Sequence, residues 1–121
     1  MNALSIKATD DTPSINFDPA TGMLEISGRS LPEDAAGFYK PVLDWLKQYG
    51  ASAKTASSLA MKLEYFNTAS SKIILDIFNV VEKFSSDKKV IWYFDKDDED
   101  MQEAGEEFSE IVNIPFEYKT Y

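Results

Sequence analysis

The spacing of apolar residues changes period along this chain, and each change marks an element. Residues 4–8 (LSIKA) and 14–18 (SINFD) alternate apolar with polar positions, and 22–28 (GMLEISG) does so again after the intervening DPATG. A period of two sends successive side chains to opposite faces, so these runs read as strands with one face toward a core. Pro19 and Gly22 suit a turn that folds the second strand onto the third as an antiparallel pair.

From residue 30 to 50 (SLPEDAAGFYKPVLDWLKQYG) the period lengthens. Phe38, Val42, Trp45, Leu46 and Tyr49 recur every three or four positions, which a helix gathers into one stripe. Ser30 and Glu33 have the spacing of a capping box, Pro32 fits a first turn, and Gly50 reads as the C-terminal stop. Pro41 has no main-chain N–H to donate, which predicts a kink, or two abutting helices, near Tyr39 and Lys40.

Alternation returns at 58–66 (SLAMKLEYF), where Leu59, Met61, Leu63 and Tyr65 form the expected core face. A stripe of Ile73, Ile74, Ile77, Phe78, Val81 and Phe84 predicts a helix from about Thr68 to Phe84. The unbroken apolar run in 88–94 (KKVIWYF) predicts a central strand covered on both faces. An acidic helix from about Asp97 to Val112 is expected to turn Met101, Gly105, Phe108 and Ile111 inward. Residues 114–120 (IPFEYKT) end the pattern as a strand that Pro115 assigns to a sheet edge.

Three strands followed by alternating helices and strands predict an α/β (mixed α+β) fold as a single domain over residues 1–121. Its mixed sheet is antiparallel at the N-terminal side and continues through right-handed β-α-β crossovers. In such sheets the functional edge lies at the carboxyl ends of the strands. The stretch YFNTASSK (65–72) falls on that edge.

Composition narrows the chemistry. With 44% hydrophobic and 13% aromatic residues, the 121-residue chain can fill one core. Twelve Lys and Arg against twenty-one Asp and Glu give a net charge of −9 with no basic run, which argues against nucleic acid and anionic membranes as partners. It predicts instead a partner with basic patches and salt-sensitive association. The chain has no His and no Cys, so it cannot build Ser-His or Cys-His nucleophiles, disulfides, or metal sites that use either residue. No catalytic residue, cofactor or metal site is assigned. The opening MNALSIKATDD lacks the basic and apolar regions of a signal peptide, and no stretch approaches the roughly 18 apolar residues of a membrane span, so the expected location is the cytoplasm.

The run DKDDED (95–100) carries the one metal-like pattern. Asp95, Asp97, Glu99, Glu103 and Glu106 occupy acidic places of an EF-hand loop, but Asp100 stands where that loop needs Gly. A negative first turn favoured by the helix dipole accounts for the run more simply.

At the 65–72 junction, Asn67 is placed to cap the second long helix, with Thr68 at its first position and Ser70 and Ser71 in its first turn. Spacing alone makes these capping residues. The unpaired N–H groups and the dipole of the same turn would also favour a phosphate on Thr68.

Together with INFDPATGMLEISGRSLPEDAAGFYKPVLDWLKQY (15–49) and IWYFDKDDEDMQEAGEEF (91–108), the run LEYFNTASSK (63–72) resembles the SiaC family of bacterial regulatory phosphoproteins. The resemblance covers nearly the whole chain. It implies a STAS-like, non-enzymatic domain in which the threonine of the F-N-T motif, here Thr68, is phosphorylated by a dedicated serine/threonine kinase. A PP2C-type phosphatase would reverse the modification, and the unphosphorylated form would bind and activate a diguanylate cyclase. Ala69 stands where some relatives would carry another serine, and the assigned residue remains Thr68. An antagonist of a different regulator, such as an anti-sigma kinase, is the alternative reading of the same fold and site. Phe66, Asn67, Ser70, Ser71 and Lys72 are the neighbours expected to present the loop to a kinase or partner, while Tyr65 is assigned to the core.

Overall fold

The computed structural model describes residues 1–121. Its elements are β1 (Leu4–Ile6), β2 (Ser14–Asp18), β3 (Met23–Ser30), α1 (Ala35–Ser52), β4 (Ser57–Phe66), α2 (Thr68–Glu82), β5 (Lys88–Phe94), α3 (Glu99–Ile111) and β6 (Phe116–Thr120). The six strands lie in sequence order in one sheet, β1 to β3 antiparallel and β3 to β6 parallel. The mixed fold and the element order expected from periodicity are therefore present.

Each helical crossover steps to the next strand in the same direction, and the right-handed rule places all three helices on one face of the sheet. The core lies between them. Alternate residues of the strands, among them Phe17, Leu24, Ile26, Leu59, Met61, Leu63, Val90 and Trp92, join Tyr39, Leu46, Ile74, Ile77 and Phe78 in one buried cluster. Burying each large side chain contributes about 1.5–3 kcal/mol, so this layer carries the fold. The three ion pairs, Lys40–Asp44, Lys62–Glu25 and Lys89–Glu117, lie in exposed or half-exposed positions and add little beside it.

Double coverage of β5 is not found. Val90, Trp92 and Phe94 face the helices, while Ile91 lies on the opposite face beside its register partner Ala60. Both are nonetheless buried, and on the same face Lys62 pairs with Glu25 at 2.7 Å and lies 4.8 Å from the centre of the Tyr93 ring. Long polar side chains screen apolar neighbours with their stems, so an apolar run can occur on a sheet with helices on one side only.

Helix ends also differ from expectation. Asp34, not Ser30, caps α1, its carboxylate accepting the Gly37 N–H at 3.0 Å. Ser30 is the last residue of β3 and fully buried. Pro41 lies in one continuous helix, exposed on its outer side. Gly50 does not stop the helix, which runs on to Ser52; a Cβ at Gly50 would come within 2.4 Å of the Phe84 ring. That glycine is where α1 meets the segment that leaves α2, which ends at Glu82, short of the expected Phe84. Ile111 is 63% exposed, and Val112 and Ile114, just past the end of α3, are buried in its place. Pro115 precedes β6, which is an edge strand as expected.

Candidate functional site

The site is built where β3 and β4 end together. Their parallel register runs Ser27 to Lys62 and Gly28 to Leu63, then jumps to Arg29 opposite Tyr65 and Ser30 opposite Phe66. Glu64 is thus an extra residue in β4, a bulge, opposite a glycine at φ +118°. One extra residue reverses the facing of all that follow. Tyr65 consequently leaves the core and is 52% exposed, correcting its expected place. Phe66 turns inward instead, half-buried, with ring centres 6.4 Å from Trp92 and 6.3 Å from Phe108.

Beyond Phe66 the chain enters α2 directly. Asn67 is the cap, its side-chain oxygen accepting the Ser70 N–H at 2.8 Å and its carbonyl accepting the Ser71 N–H at 2.9 Å. Thr68 is the first helical residue, exposed to solvent. Ser71 is half-buried, and Lys72, one turn beyond Thr68, is exposed and belongs to none of the ion pairs.

Ser70 differs from the other loop residues. It is fully buried, and its hydroxyl donates to the Ser30 carbonyl at 3.0 Å. The same hydroxyl accepts from Ser30 Oγ at 2.9 Å, and Ser30 Oγ lies 2.6 Å from Tyr39 Oη. With Ser30 donating to Ser70, the remaining polarity has Tyr39 donating to Ser30. Burial pushes the Tyr39 phenol above its ordinary range, with the Ser30 hydrogen bond acting the other way, so Tyr39 keeps the proton it donates. The Ser30 carbonyl also accepts the Asn67 N–H at 3.0 Å. Ser70 is therefore a clamp holding the junction to β3 and α1, and in this conformation it presents nothing to a partner.

Sequence reasoning assigned Ser30 to a cap and passed over Arg29. The signal available for the bulge was Gly28, since an isolated glycine inside a strand pattern marks such irregularities.

Beside the junction lies an open hollow of about 710 Å³ at the start of α3, lined by Glu64, Asp95, Asp97, Asp98, Asp100 and Tyr121 among others. Burial raises the Tyr121 phenol, with Glu64, Asp95 and Asp98 adding to the effect. Asp98 caps α3 through the Met101 N–H at 3.0 Å, and Glu99 and Asp100 occupy the first turn. Since α3 is helical from Glu99, the latter half of the supposed EF-hand loop does not form. The acidic run is a helix start.

The junction thus presents an exposed Thr68 at the start of α2, secured from beneath by the buried Ser70 clamp. A family model described as SiaC family regulatory phosphoprotein matches residues 6–121. The chain belongs to the SiaC family. It is 32% identical over 119 residues to a protein of Pseudomonas aeruginosa (strain UCBPP-PA14), covering 96% of this chain and 94% of that one. The crystal structure of apo-SiaC from Pseudomonas aeruginosa superposes with a TM-score of 0.90 at 30% identity, covering 98% of this chain and 99% of that one. SiaC in its crystal structure with the diguanylate cyclase SiaD, which it activates, gives a TM-score of 0.91 at the same identity and coverage. No helix of this SiaC-family protein is long and apolar enough to cross a membrane.

Proposed function

We infer that this protein is a switchable activator of a diguanylate cyclase, acting by binding and not by catalysis. The unmodified form binds and activates the cyclase. A serine/threonine kinase ends the interaction by phosphorylating Thr68, and a PP2C-type phosphatase restores it. The observation that carries this reading is the exposure of Thr68 at the first position of α2, in a chain 30% identical to the SiaC found in complex with SiaD.

The chemistry of the turn supports the choice of residue. Thr68 is accessible to a kinase, while Ser70 is enclosed and its hydroxyl engaged. A phosphate adds about −1.5 to −2 charges at neutral pH and three strong acceptors. The α2 dipole stabilises that charge within the protein, whereas a docked partner would have to desolvate it. A penalty of roughly 3–4 kcal/mol weakens binding by several hundredfold, since every 1.4 kcal/mol is about tenfold. Asn67, Ser71 and Lys72 complete the surface around the toggle, while Phe66, expected there as a contact, is half-buried against the core.

The test is phosphosite mapping on protein isolated from its own cells, followed by affinity capture and calorimetry with the two separated forms. Recovery of a diguanylate cyclase by the unmodified form alone, with phosphate on Thr68, supports the reading. Equal binding by both forms, or an anti-sigma kinase captured in place of a cyclase, overturns it.

A further inference from the structure

The bulge that turns Tyr65 outward also fixes its neighbour. Arg29 is the only arginine in the chain. It is exposed, none of the ion pairs includes it, and it lies in register beside Tyr65 across the β3–β4 pair. No ion pair joins it to Glu64, the bulged residue before Tyr65. The next pair, Ser30 and Phe66, points the opposite way into the protein, so Arg29 and Tyr65 share the outer face at the base of the Thr68 loop.

We propose that Arg29 and Tyr65 form the paired anchor by which this edge grips an acidic segment of its partner, Arg29 taking a carboxylate and Tyr65 packing against the adjoining side chain. A free guanidinium presents a rigid fork of donors matched to a carboxylate, and a solvent-facing tyrosine offers wide contact area at small entropic cost. Both residue types are enriched where binding energy concentrates. The requirement for acid is local. Asp95, Asp97, Asp98, Glu99 and Asp100 line the hollow at the start of α3, together with Glu64, the residue before Tyr65.

This anchor rests on the functional reading above and deepens it. Asn67 is held to the carbonyl of Ser30, the residue after Arg29, and Thr68 follows Asn67 directly. A phosphate on Thr68 would add negative charge at this same end of the sheet, and its repulsion of an acidic segment would act in the direction an off-switch needs.

The experiment is calorimetry of unmodified protein with the full-length diguanylate cyclase recovered from the same cells. The set comprises wild type, Arg29→Ala, Arg29→Lys, Tyr65→Ala, Tyr65→Phe, and Lys40→Ala as a remote control. The anchor predicts affinities roughly tenfold or more weaker for Arg29→Ala and Tyr65→Ala, an intermediate loss for Arg29→Lys, and little loss for Tyr65→Phe or the control. All variants should melt like the wild type, because both side chains are exposed. Arg29→Ala and Tyr65→Ala binding within about twofold of wild type would overturn the anchor alone. Arg29→Lys matching wild type would overturn the carboxylate fork. Recovery of no cyclase by the wild type would sink the functional reading together with the anchor.

Discussion

The Ser70 hydroxyl, in the first turn of α2, donates 3.0 Å to the carbonyl of Ser30, the last residue of β3 and forty positions earlier in the chain. That carbonyl also holds the Asn67 N–H, so one main-chain oxygen fixes both the entry to α2 and its first turn. Removing the hydroxyl with Ser70→Ala leaves Ser30 Oγ buried without the acceptor it uses. A buried group deprived of its partner costs about 1–3 kcal/mol. Thermal denaturation should show a fall of several degrees, and Ser71→Ala, which removes a half-buried hydroxyl with no such partner, should fall much less. Equal melting of the two variants would remove the clamp from the account.

The third member of that network sets an alkaline limit on stability. Burial raises the Tyr39 phenol in the folded protein above its unfolded value. The folded state therefore holds this proton where the unfolded state releases it. The contribution is complete below the ordinary tyrosine pKa of about 10 and is lost as pH rises through the folded value. Urea denaturation repeated at rising pH should show wild-type stability declining above about pH 10, with a smaller decline for Tyr39→Phe. A parallel decline in both proteins would assign the alkaline loss to other groups.

Trp92 and α3 are fitted through one glycine. A Cβ at Gly105 would approach the Trp92 indole to 2.5 Å, and the indole N–H is already committed to the Met101 carbonyl at 2.9 Å. Gly105→Ala must move α3 or break that bond, and overpacking of this kind costs about 1–3 kcal/mol. The loss should exceed the small gain in helix propensity that alanine brings. Trp92 fluorescence and the near-ultraviolet circular dichroism should change together with the melting temperature. A variant as stable as wild type with an unaltered Trp92 signal would show that the two elements are not tightly coupled.

Much of this arrangement was legible from period and residue type. The order of elements, the edge position of β6 and the capping of α2 by Asn67 follow from local chemistry that tertiary contacts do not override. The exchange of Tyr65 for Phe66 was not legible, because a single bulged residue reverses facing without disturbing the alternation before it. Ser30 looked like a cap since its spacing to Glu33 is right, and only the end of β3 meeting the start of α2 makes it a buried hub. Gly50 likewise resembled a stop, but its reason is the Phe84 ring, which lies just past the end of α2. Each miss depends on a contact distant in sequence.

The position of Thr68 separates two effects that a phosphate mimic usually confounds. Thr68→Glu places a negative charge at the first residue of α2, where the dipole favours it by about 0.3–1 kcal/mol at an exposed position. The variant should therefore melt at or slightly above the wild-type temperature. Its binding to the cyclase should nevertheless fall, because a docked partner must desolvate and oppose the same charge. Thr68→Val, which cannot be modified, should bind whether or not the kinase is present. Melting curves and calorimetry on the same samples give the two readings independently. Reduced binding with a markedly lowered melting temperature would mean that the charge acts by loosening α2, and the account of Thr68 as a surface toggle would have to give way to one of local unfolding.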